Sequence, residues 1–186
     1  MFKLLNGIVI LLDALTEVIG KRIAWLSLFM VFVTFAVVVL RYIFNVGSIA
    51  AQETITYLHA ILFMSAGSYA LQLDGHVRVD VFYRRFSHKT KAVVNLLGTL
   101  FLLFPVIGLI AWYSVGYVSN SWSILERSQE AGGIPALFLL KSLILVFVSL
   151  FFLQGLAEVL RNFLYIAGWH DDVEHGQISQ EANTDD

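Results

Sequence analysis

The stretch IAWLSLFMVFVTFAVVVL, from Ile23 to Leu40, contains 18 residues and no charged side chain. At about 1.5 Å per residue, a helix of this stretch would be about 27 Å long, close to the hydrocarbon thickness of a bilayer. The stretch therefore predicts a membrane-spanning helix, which we extend past Arg41 to about Phe44.

The composition of the whole chain agrees with a membrane location. Of its 186 residues, 58% are hydrophobic and 14% are charged, whereas a soluble domain carries about 25% charged residues. The net charge of −2 predicts no nucleic-acid partner. The chain has no cysteine, which excludes disulfides, thiolate metal sites and a catalytic cysteine.

Other apolar runs predict three further spans. Residues 54–73 form an uncharged run of 20, and residues 92–125 form one of 34, too long for a single crossing. We predict spans two and three at about 54–73 and 92–113, with the aromatic remainder of the long run at the membrane interface. Ile134-Pro135 predicts the start of span four, at about 134–157, because proline suits a first helical turn.

The N-terminal segment, residues 2–20, is amphipathic rather than uniformly apolar. A helix of this kind favours the membrane interface, although its polar side would also suit packing on the rest of the bundle. We predict an all-α membrane protein with four transmembrane helices and an N-terminal amphipathic interfacial helix, residues 1–170 forming one membrane domain. The polar side of the segment contains Asn6, Asp13, Thr16, Glu17 and Gly20.

The distribution of basic residues predicts the orientation. With four spans, nine of the 12 Lys and Arg residues fall on the side that holds both termini. Cytoplasmic loops carry the excess of such residues, so both termini are predicted in the cytoplasm. The tail, residues 171–186, has six acids and no Lys or Arg, which predicts disorder.

The stretch LDGHVRVDVFYRR, Leu73 to Arg85, then becomes a cytoplasmic loop whose basic residues face membrane lipids. Its alternation of apolar and polar residues predicts a short extended segment. His76, Arg78 and Asp80 would project to one side of it. A salt-bridged turn explains them, and a docking surface for another subunit is the functional alternative.

Charged and polar residues near the span ends are candidates for structural or partner contacts. Lys141 lies inside span four, where charge is costly, but it is within snorkelling distance of the membrane surface. Gln52 and Glu53 open span two, where an acid suits a helix N-terminus. A salt bridge from Glu53 to Arg41, or to a partner, is the alternative.

Small residues in the spans predict close helix packing. In span two, the relevant residues surround Gly67. In span three, Gly98, Pro105 and Gly108 predict a kink or a close contact.

The chain contains no recognisable catalytic motif. His59 lies in span two, but no other span offers a second axial ligand for haem. The stretch HDDVEH, His170 to His175, suits a solvated acidic tail better than a metal site. We therefore predict no enzymatic activity, cofactor or metal.

The order of these features resembles the small membrane subunit (DctQ type) of the tripartite ATP-independent periplasmic, or TRAP, transporters. The resemblance runs from Trp25 to about Arg161, and its strongest part is GSYALQLDGHVRVDVFY, Gly67 to Tyr83. Ala51 departs from the tryptophan that many members carry there. The other matching features are Arg41-Tyr42, Gln52-Glu53, Glu126, Glu130 and the Gly-Ile-Pro sequence before span four.

The resemblance implies a scaffold in the bacterial inner membrane. A periplasmic binding protein would deliver an organic acid, and a large membrane subunit would move it, driven by an ion gradient. The small subunit would pack against the large one. Two alternatives from the residues alone are a membrane anchor of an electron-transfer complex and a small homodimeric exporter.

Overall fold

The structure, a computed structural model, describes residues 2–73, 83 and 86–168. It is 85% helix, and no strand occurs in the described ranges. The all-α fold is therefore confirmed. The four long helices are α1, Phe2–Tyr42; α2, Ile49–Gln72; α3, His88–Ser123; and α4, Leu137–Ile166.

Three of these helices, α1, α3 and α4, are long and apolar enough to cross a membrane. The fourth, α2, is not among them, so the predicted count of four spans is not confirmed. The polar residues of α2 that lower its hydropathy include Ser65 and Ser68, which are buried against the other helices. The span boundaries stay predictions, since the helices themselves extend beyond them.

The predicted interfacial helix is not an element of its own, because α1 continues without a break from Phe2 to Tyr42. Its 41 residues extend about 60 Å, roughly twice the hydrocarbon thickness. Thr16 and Gly20 on its polar side are buried, whereas Leu4 and Leu11 are exposed. The part of the polar side formed by Thr16 and Gly20 therefore faces protein, and these leucines face outward, as in a helix surrounded by lipid.

Helix α4 lies at the centre of the bundle and packs against α1, α2 and α3. Helix α2 packs between α1 and α4. Because α4 has neighbours on several sides, it contains the largest group of buried residues among the helices, all of them from Leu150 onward. These are Leu150, Phe151, Gln154, Gly155, Ala157, Asn162 and Leu164.

At each of three helix contacts, an aromatic side chain packs against a glycine. A Cβ atom added to Gly67 would lie 2.7 Å from Cε2 of Phe151, so no larger residue fits without a shift. Lipid competes for apolar surface, and close approach at small residues supplies much of the association energy. The three pairs are Gly20 with Tyr69, Gly67 with Phe151, and Gly155 with Phe104.

Helix α3 contains a π-helical turn, Thr99–Leu103, between α-helical parts His88–Gly98 and Phe104–Ser123. The N–H of Phe104 donates to the carbonyl of Thr99, and Pro105 follows in the chain. Proline has no N–H and its ring crowds the preceding turn, which the wider π turn relieves. A π turn therefore lies next to Pro105, whereas the predicted close contact is absent at Gly98 and Gly108, where no atom of the described residues lies within 4 Å of an added Cβ.

Helix α4 begins at Leu137, so the prediction that Pro135 lies in its first turn is wrong. The preceding residue, Ile134, is held outside the helix by three contacts. Its N–H donates to Glu53, and its carbonyl accepts from the N–H groups of Ser128 and Ala136. These bonds fix a turn that a helix starting at residue 134 would break.

Candidate functional site

The first polar cluster joins α2 to the α3–α4 loop, residues 124–136. Glu53 of α2 accepts hydrogen bonds from the hydroxyl of Ser128 and, at 2.6 Å, from the N–H of Ile134. The loop is thereby held against the start of α2. A salt bridge from Glu53 to Arg41, the alternative drawn from the sequence, is absent among the described contacts.

The side chain of Lys141 contacts the same loop. Its Nζ lies 2.5 Å from Oε2 of Glu126 and 4.1 Å above the ring of Tyr117. The hydroxyl of Ser121 donates to the same carboxylate oxygen at 2.6 Å. The lysine extends toward the helix start, as snorkelling predicts, but its ammonium group meets a carboxylate of the protein.

A second contact reinforces this end of the α3–α4 pair. The indole Nε1 of Trp122 donates to the hydroxyl of Ser142 at 2.8 Å. The Trp122 ring also packs edge-on against Phe138, with 4.7 Å between ring centroids. Together with the Lys141–Glu126 pair, these contacts fix how α4 begins relative to the end of α3.

We expect Glu53→Gln to loosen the α3–α4 loop, because a neutral amide accepts weaker hydrogen bonds than a carboxylate. Hydrogen exchange at the Ile134 N–H should accelerate by about tenfold. Glu130→Gln is the matched control, because its side chain lies exposed in the same loop. Equal exchange rates in both variants would contradict the role of Glu53.

The Glu126 contacts predict a pH dependence. The hydrogen bonds from Lys141 and then Ser121 lower the pKa of Glu126 below its ordinary value. A lowered pKa in the folded state means that the stabilisation is fully present above the unfolded-state pKa. It is lost as pH falls through the lower, folded-state pKa.

Thermal unfolding of the unmodified chain and of Glu126→Gln is compared from neutral pH down through the folded-state pKa of Glu126. The unmodified chain should be more stable at neutral pH, and the difference should shrink as Glu126 is protonated. A difference that stays constant from neutral to strongly acidic pH would show that the Glu126 charge is not involved.

The second polar cluster, which we call the Asp13 cluster, lies between α1 and α4. One guanidinium nitrogen of Arg161 lies 2.7 and 2.8 Å from the two carboxylate oxygens of Asp13. The amide of Gln154, which is fully buried, donates to Asp13 at 3.1 Å. The other Arg161 nitrogen donates to Glu158 at 2.7 Å. An arginine therefore bridges two acids.

The Asp13 cluster also reaches α2 and continues along α4. The amide of Gln72 donates to the backbone carbonyl of Asp13 at 3.1 Å. Asn162 donates to the carboxylate of Glu158 at 2.9 Å. Three helices thus meet at one set of hydrogen bonds. Sequence reasoning missed this cluster, although the amide of Gln154, which follows a long uncharged run in α4, was a signal.

Other predicted sites are placed as follows. Arg41 and Gln52 line a cleft at the α1–α2 connection. The ring of His59 stacks on Phe63, with 6.2 Å between centroids. His76, Arg78 and Asp80 lie outside the described residues, as do the predicted extended segment and the acidic tail with its HDDVEH stretch.

The contacts in both clusters hold helices against one another or hold a loop against a helix. Their carboxylates are each bound by a lysine, an arginine or several hydrogen-bond donors. Within residues 2–73, 83 and 86–168, no group of three or more His, Cys, Asp or Glu residues is arranged to hold a metal ion.

The comparison with protein families agrees with this architecture. The family model described as "Tripartite ATP-independent periplasmic transporters, DctQ component" matches residues 30–164. The match covers most of the chain, from the last third of α1 to the last turn of α4. No curated protein and no solved structure matches the chain. The chain belongs to the DctQ family and is the small membrane subunit of a TRAP transporter.

Proposed function

We propose that this subunit acts as a scaffold for the large membrane subunit of the transporter. The observation that carries the proposal is that the charged side chains within the described helix contacts bind one another inside this chain. Arg161 is bound by Asp13 and Glu158, and Lys141 by Glu126. Because these charged groups already bind one another, they are not available to bind a substrate.

The outer surface of the bundle suits a partner and lipid. Helix α1 exposes Phe32 and Phe35 to 62% and 68%, and α3 exposes Trp112 to 81%. Surfaces of this kind pack against other membrane helices or acyl chains. We place the large TRAP subunit on part of this surface and membrane lipids on the rest.

The proposed transporter takes up an organic acid across the bacterial inner membrane. In this proposal a periplasmic binding protein supplies the substrate and an ion gradient drives uptake. The experiment is co-purification of the tagged chain with the large subunit, followed by uptake in proteoliposomes with and without the chain. Uptake should require all three components. Full uptake by the large subunit and binding protein alone would contradict the proposal.

In the proposed topology α2 crosses the membrane as well as α1, α3 and α4, which makes four crossings. Both termini then lie in the cytoplasm. The N-terminal part of α1 would lie at the cytoplasmic boundary, with its exposed leucines in lipid. The asymmetry of basic residues supports this orientation. Reporter fusions after His88 and Asp186 should report cytoplasm, and one after Arg127 should report periplasm. A reversed signal at any of them would overturn the topology.

A further inference from the structure

A cleft of about 520 Å³ opens where α1 ends and α2 begins. No acidic residue lines it, whereas a guanidinium group, two side-chain amides and a phenol do. Its chemistry therefore favours an anion. The lining residues are Arg41, Tyr42, Asn45, Gly47, Ile49 and Gln52.

Arg41 differs from the cations of the polar clusters. Within the described ranges, no carboxylate and no hydrogen-bond acceptor pairs with it. The nearest acid along the chain, Glu53, is already bound by Ser128 and Ile134. Arg41 lies in the last turn of α1, where the helix dipole favours a cation. That position leaves its five N–H donors available for a ligand.

The backbone around the cleft is held in place by two features. The N–H of Val46 donates to the carbonyl of Leu40 at 2.9 Å, which closes the end of α1. Asn45 adopts a left-handed conformation, with φ of 54°, which Asn tolerates better than most residues. The first turn of α2, with Ile49, then borders the cleft and adds its partial positive charge.

Apolar side chains surround the charged lining. Three of them lie at the end of α1 and just after it: Tyr42, Ile43 and Phe44 are 77%, 70% and 63% exposed. Phe35, which lies earlier in α1, is 68% exposed. A cation next to an exposed apolar surface at the end of a membrane helix matches the two parts of a phospholipid. A free anion such as inorganic phosphate would use the cation but would leave these residues without a role.

We propose that this cleft binds the phosphate group of an anionic phospholipid, whose acyl chains lie along the exposed face of α1. The proposal goes beyond the scaffold function, and it rests on α1 crossing the membrane, which the reporter fusions test separately. Arg41 is the residue that recognises the headgroup, and Gln52 and Asn45 supply neutral donors beside it.

The test measures lipid selectivity of the purified full chain, reconstituted with spin-labelled phosphatidylglycerol or spin-labelled phosphatidylcholine. The ratio of the two association constants should fall about fivefold in Arg41→Gln, since a charge-assisted hydrogen bond to the phosphate is about twice as strong as the neutral one that glutamine can make. Arg127→Gln is the matched control, because Arg127 is exposed at the same end but does not line the cleft. Its ratio should stay unchanged.

Gln52→Glu is the second variant, in case Arg41→Gln does not fold. It adds a negative charge to the cleft, so the ratio should fall with Arg41 still present. Unchanged selectivity in a folded cleft variant, or an equal fall in Arg127→Gln, would overturn the proposal. Displacement of the lipid by inorganic phosphate would also overturn it. So would loss of the large subunit in Arg41→Gln with lipid selectivity intact, which indicates a partner carboxylate.

Discussion

Replacing Arg161 with alanine is expected to lower the free energy of unfolding by about 3 kcal/mol, because removal of one partner leaves buried charge uncompensated. Arg161 lies 2.7 Å from both Asp13 and Glu158, and its side chain is only 22% exposed. In its absence the two acids would face each other without a cation. Thermal unfolding of the purified subunit in detergent measures the loss.

Arg22→Ala is the matched control for this variant. Arg22 is an exposed cation of α1, and it should cost less than about 0.5 kcal/mol, as exposed charges generally do. The double variant Asp13→Asn with Arg161→Gln should recover part of the stability, because it leaves fewer uncompensated charges. A loss in Arg161→Ala no larger than that of Arg22→Ala would show that the Asp13 cluster does not hold α1 against α4.

Gly20→Ala is expected to destabilise the contact between α1 and α2 by about 1–3 kcal/mol, the usual range for overpacking a tight site. The added Cβ would lie 2.7 Å from Cβ of Tyr69. The Cβ of Tyr69 moves only with its backbone, so rotation of the tyrosine ring does not relieve the clash. The two helices must separate, which weakens the other contacts between them as well.

Gly7→Ala, in the same helix, separates packing from helix propensity. No atom lies within 4 Å of a Cβ placed at Gly7. This substitution should therefore stabilise the chain slightly, since alanine is favoured over glycine in a helix by about 1 kcal/mol. Opposite signs for the two variants in thermal unfolding support the packing at Gly20. Stabilisation by both would contradict it.

The sequence was sufficient to predict the helical class, because uncharged runs of about 20 residues have few other physical explanations. It was less informative about where helices end. The predicted N-terminal segment ends at residue 20, just before Lys21 and Arg22, yet α1 runs through both. Lys21 pairs with Glu17 one turn earlier at 2.5 Å on the exposed side, so the charges do not interrupt the helix.

The polar clusters could not be predicted from local pattern. A helical wheel shows that Asp13, Thr16 and Gly20 share a side, but water and protein satisfy a polar side equally well. The partner of Asp13 is Arg161, which is 148 residues away along the chain. Only the packing of α1 on α4 brings them together.

Family membership favours the transporter subunit, and neither the electron-transfer anchor nor the exporter has support from the match.

The most direct test of the scaffold account measures uptake per assembled complex in proteoliposomes with binding protein and substrate. The variants are Arg161→Gln and Glu53→Gln in the polar clusters and Asp80→Ala in the predicted cytoplasmic loop. The account predicts that uptake per assembled complex is unchanged, so that total uptake falls only as far as the assembled fraction falls, with an unchanged KM for the substrate-loaded binding protein. A variant that assembles fully and yet loses uptake would contradict it, because that residue would then take part in transport itself.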